Sequence, residues 1–168
     1  TDEREGSGID VFGQRFDANS TKVGGEFLIN ADADSGSQYQ PSVTGLGDGK
    51  FVVTWLDDTG GSHDKNEGDA TKGESQDIRA QIFTTAGQDE YGDALTTPVT
   101  AGGDFRVNDA TYHNQSSPSV TNLSDGGFIV TYVSYYGDQN HSYAIMGQRF
   151  DTDGSPVGSE LPVVSDYI

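Results

Sequence analysis

With 168 residues, 32% of them hydrophobic and 23 of them glycine, the chain has room for one domain with many turns and a thin core. Its 27 acidic against 9 basic residues give a formal net charge of −18, which argues against a nucleic-acid partner, since phosphate binding needs clustered Lys and Arg. There is no cysteine, so disulfides and thiolate metal sites are excluded, and no apolar run approaches the ~18 residues of a membrane span.

The predicted elements are all strands. The opening TDEREGSG reads as linker, as expected of a monomeric module within a larger chain. GQRFD at 13–17 and GGEFLIN at 24–30 then predict two strands joined by a turn. PSVTGLGDGKFVVTW at 41–55 predicts a hairpin: a short strand, a Gly/Asp turn, and a β-branched and aromatic strand. All of this recurs. PSVTNLSDGGFIVTY at 118–132 matches the first hairpin at ten of fifteen positions, 77 residues later. AQIFT at 80–84 and GQRFD at 147–151 repeat the first strand at intervals of 67, and GGDFRVN at 102–108 repeats the second. GSELPVV at 158–164 does so more loosely. Two and a half units of four strands result, about 9–77, 78–143 and 144–168, giving about ten strands in a single module, 1–168. Helical periodicity is absent, and Gly or Pro interrupts most windows. The expected fold is an all-β, pseudo-twofold, internally repeated antiparallel β-sandwich-like domain. Propeller-blade-like packing is the alternative, since two and a half units are too few for a closed propeller.

Comparing the units exposes two insertions. The step from the first strand motif to the second is 11 residues in the outer units but 22 in the middle one. The step from hairpin to the next strand motif is 25 residues after Trp55 but 15 after Tyr132. Loops that lengthen while their strands keep register are where function is commonly grafted; neutral drift of a tolerant loop is the competing explanation.

The longer of these loops, 57–77, reads DDTGGSHDKNEGDATKGESQD. It offers Asp57, Asp58, Asp64, Asp69 and Asp77 as candidate metal ligands, with Glu67 and Glu74 beside them and only Lys65 and Lys72 in opposition. So polar and self-repelling a segment is either disordered or ordered by cations, and Ca²⁺ accepts six to eight oxygens from flexible carboxylates. Asp32 and Asp34, in NADADSG at 30–36, alternate oxygen ligands in the manner of a calcium loop, although the spacing is not that of an EF-hand. The corresponding loop of the second unit is aromatic instead. Tyr135, Tyr136, Asp138, His141 and Tyr143 are candidate ligand-binding residues, with Tyr135 and Tyr136 expected just past the strand end. One of that pair could equally cover the hairpin end. An enzyme is not expected: His63, His113 and His141 are the only histidines, and no zinc-protease, nucleophile-elbow or phosphate-loop motif occurs.

The motifs GQRFD, VGGEF, QPSV and DGGF-x-VT-aromatic resemble repeats of large calcium-dependent bacterial surface and secreted proteins. With the modified loops, the chain resembles the peptide-binding domain of RTX adhesins. That resemblance implies a Ca²⁺-dependent extracellular module at the bacterial cell surface, attaching to host cells by binding the free C-termini of their surface proteins. In such a module a calcium ion helps hold the ligand carboxylate. A calcium-dependent lectin and a structural stalk repeat are the alternatives.

Overall fold

A computed structural model describes residues 8–31, 36–58, 76–87, 95–109, 114–135 and 143–165. Among them there is no helix, and the strands run β1 (Phe12–Phe16), β2 (Lys22–Leu28), β3 (Ser37–Gly47), β4 (Lys50–Asp58), β5 (Asp77–Thr84), β6 (Val99–Thr100), β7 (Phe105–Arg106), β8 (Asn114–Asn122), β9 (Phe128–Tyr135), β10 (Tyr143–Phe150) and β11 (Leu161–Ser165). They form three antiparallel layers. These are a β1–β2 hairpin, a central sheet β3-β4-β5 with β6 and β7 on the far edge of β5, and a sheet β8-β9-β10-β11. The fold is all-β and sandwich-like, without a closed barrel.

Strand composition records layer position. In β4, Val52 and Leu56 enter one core cluster while Val53 and Trp55, on the other face, enter a second. Covered on both faces, the strand reads as a nearly continuous apolar run. β9 alternates buried and half-buried residues along its whole length, as a strand with one covered face should. The first hairpin turns through Asp48 and Gly49, with φ of 49° and 72°, the left-handed pair that a two-residue type I′ turn requires.

The repeat motifs are hydrogen-bonding devices. Gln14, Gln81 and Gln148 each donate Nε2 to the carbonyl of the next residue and to that of Gly24, Gly102 and Gly158 respectively. Those glycines all have φ between 71° and 98°, so the GQRF and GG motifs form two halves of one clamp across adjacent strands. Asp17 and Asp151 each cap the following turn by accepting two backbone N–H bonds on Oδ1.

Successive layers pack head to tail. Phe27, Phe51 and Phe83 cluster where the β1–β2 hairpin meets the central sheet, with centroids 5.2 to 6.4 Å apart. At the next boundary the equivalent Phe105, Phe128 and Phe150 do the same, with Phe150 5.1 and 5.3 Å from its two neighbours. The same face of each layer therefore meets the opposite face of the layer before it. Each layer thus turns one face to the layer before it and the other face to the layer after it, within a sandwich-like all-β fold.

Candidate functional site

The strands position their loops. β3 and β8 run in parallel, tied by Ser117 N to Gln40 Oε1 and Val120 N to Ser42 Oγ. The start of β3, the end of β4, the starts of β5 and β8, the end of β9 and the start of β10 consequently share one end of the molecule. Among the described residues, Asp58 and Gln76, which flank segment 59–75, and Tyr135 and Tyr143, which flank segment 136–142, lie at that end.

Beneath it runs a buried polar network in two copies. In the first, Asn30 Oδ1 accepts from Val11 N at 2.8 Å, and its Nδ2 donates to Asp10 and Gln38 at 2.9 Å each. Gln38 Nε2 donates to Asp57 Oδ1 at 3.0 Å. In the second, Asn108 accepts from Ile78 N and donates to Asp77 at 2.8 Å and Gln115 at 3.3 Å. The fourth member differs: Ser134 stands where Asp57 stands in the first copy, and Gln115 Nε2 has no partner among the described residues. A buried donor left so costs about 1–3 kcal/mol.

Asp57 and Asp77 are register partners across β4 and β5, which joins the two copies. Arg79 sits among the acids, making two bonds to Asp104 at 2.7 and 2.8 Å and lying 3.9 Å from Asp57 Oδ2. Burial pushes the Asp57 carboxyl above its ordinary value, and the Asp77 and Asp104 carboxylates push the same way. The Gln38 bond and the Arg79 charge pull back without cancelling the rise.

The structure revises part of the expected site. Asp57, Asp58 and Asp77 belong to strands, because the ladder continues past the expected loop boundary through Ser37 with Asp58 and Asp57 with Asp77. Asp57 and Asp77 are buried, with one oxygen of each taken by an amide. Among the described residues no three His, Cys, Asp or Glu are arranged to hold a metal ion. Asp32, Asp34, Asp64 and Asp69, like Tyr136, Asp138 and His141, lie outside the described residues.

Tyr135 is the last residue of β9, not past its end, since its backbone pairs with Asn114 on one side and Tyr143 on the other. The Tyr135 and Tyr143 rings meet at 5.0 Å. A surface chain of contacts links this pair to the acidic end: Gln76 Nε2 donates to Asp58 Oδ2, and Gln76 N donates to Asn114 Oδ1, at 3.4 Å each. Asp58, Gln76 and Asn114 are half-buried and Tyr143 is exposed, so the strip faces solvent. Gln76 and Asn114 escaped the sequence reading because neither belongs to a repeat motif. Asn30 and Asn108 were visible as the last residues of theirs. Comparison with protein-family models, curated protein sequences and solved structures returns no match to this chain.

Proposed function

We propose that the chain is a Ca²⁺-dependent extracellular adhesion module of the bacterial cell surface. On this reading it binds short peptides, the free C-termini of host-cell surface proteins, with calcium helping to hold the ligand carboxylate. The observation that carries the reading is the convergence at one end. Segment 59–75 leaves from Asp58 and returns at Gln76, while segment 136–142 leaves from Tyr135 and returns at Tyr143. Gln76 and Asn114 join the two departure points. An acidic insertion thus springs from beside an aromatic, solvent-facing strip, a pairing suited to a ligand with an apolar body and an anionic end. Because Asp57 and Asp77 serve the buried network, the proposal assigns calcium coordination to Asp58 with Asp64 and Asp69 of the insertion.

The test is a library of peptides with free and amidated C-termini, titrated in calcium and in chelator. Binding of free forms alone, lost on chelation, is expected; equal binding of amidated forms, or binding only to glycans, would overturn the carboxylate reading. The repeated glutamine clamp and head-to-tail layers favour a second reading, a structural repeat that extends a stalk. That reading expects no ligand from either library.

A further inference from the structure

The β1–β2 hairpin is half of a layer. Gln14 of β1 is equivalent to Gln81 of β5 and Gln148 of β10, and the Asn30 network places Val11 as Asn108 places Ile78. In the two fuller layers, the β1-equivalent strand is paired on its far edge over eight residues with a Phe-x-Val-Thr-aromatic strand, β4 or β9. Among the described residues β1 pairs only with β2.

Three repeat positions register the difference. Phe83 and Phe150 are 1% and 2% exposed, whereas their counterpart Phe16 is 57% exposed. Val120 is 7% exposed under the central sheet, whereas its counterpart Val43 is 64% exposed. Pro118 is buried and Pro41 exposed. Between the β1 edge and the exposed face of β3 at Val43 lies a groove of about 560 Å³ lined by Val11, Gly13, Phe27, Val43, Phe51 and Val53. It is continuous with the second core cluster, to which Val11, Phe27, Phe51 and Val53 also belong.

We propose that this edge and groove accept a β-hairpin of the chain's own repeat type, added antiparallel to β1 as an extra pair of strands. The internal repeat sets the register. Phe51 opposes Phe83, Val53 opposes Gln81 and Trp55 opposes Arg79, so the incoming Phe opposes Phe16, its Val opposes Gln14 and its aromatic residue opposes Phe12. The residues that alternate with them, the one between Phe and Val and the one after the aromatic residue, point into the groove and cover Val43, as Val52 and Leu56 join Val120 in the first core cluster. The open edge supplies backbone hydrogen bonds, and the alternating side chains supply selectivity.

The probe is a synthetic peptide with the sequence of residues 114–135, titrated against the full chain, with a scrambled peptide as control. Hydrogen exchange should slow at the Phe12–Phe16 amides on addition of the peptide but not of the control. Val43→Asp and Phe16→Asp, both at exposed positions, should each weaken binding at least about tenfold, the scale of losing one buried apolar side chain. Undiminished binding to both variants, or absence of β1 protection at saturating peptide, would overturn the proposal. So would a concentration-dependent dimer of intact chains that buries the groove and is not competed by the peptide.

Discussion

Asp57 shows how one side chain can be read two ways. As a letter in an acidic run it is a candidate calcium ligand; in the fold it terminates a buried amide network and faces Asp77 across a ladder. Its raised pKa means the folded state binds a proton more tightly than the unfolded state does. Stability should therefore be gained as pH falls through the raised value towards the ordinary one, and lost as pH rises through that window. Asp57→Asn keeps an acceptor for Gln38 and removes the charge. In chelator, urea unfolding of this variant should show stability at neutral pH no lower than that of the parent chain, with the parent gaining on it as pH falls. A variant weaker at neutral pH, with the parent losing that advantage as pH falls, would show that the charge itself is needed. The sequence could not distinguish these roles, since burial of Asp57 depends on β1, β2 and β3 arriving beside it.

At the scale of elements, hairpins and clamps were legible because each needs only nearby residues: Asp48 and Gly49 for a turn, Gln14 and Gly24 for a clamp. Both insertions were legible as departures from the repeat. The ends of β4, β5 and β9 were not, because polar Asp57, Asp58, Asp77 and Tyr135 sit in ladders held by strands distant in sequence. The layout yields a direct test. Replacing residues 59–75 by a short Gly/Asn turn leaves every described ladder intact, so the melting temperature in chelator should stay within about 4 °C, the effect of roughly 1 kcal/mol in a domain of this size. The calcium response and peptide binding should both disappear. Retention of the full calcium response by this variant would move the metal elsewhere.

For the molecule as a whole, −18 formal charges oppose compaction, and a monovalent salt relieves that repulsion by screening. In chelator, melting temperature should rise with NaCl. Millimolar CaCl₂ should then raise it by many degrees beyond NaCl matched for ionic strength. Equal shifts from the two salts would mean that calcium merely screens. The layered packing bears on the same measurement. Trp55, the only tryptophan, is fully buried in the cluster joining the β1–β2 hairpin to the central sheet, so its fluorescence reports undocking at that boundary.

The sequence by itself determined the strand content, the repeat, the turns and the positions of the insertions, because these follow from short-range geometry and from self-comparison. Tertiary structure alone decided that layers stack head to tail, and that Asp57 and Asp77 are covered while Asp58 reaches the surface. It also decided that Phe16 and Val43 stay bare where their counterparts are buried. Identical motifs carry identical local instructions. What differs between copies is which neighbour lies across the face, and burial is a property of that neighbour as much as of the residue.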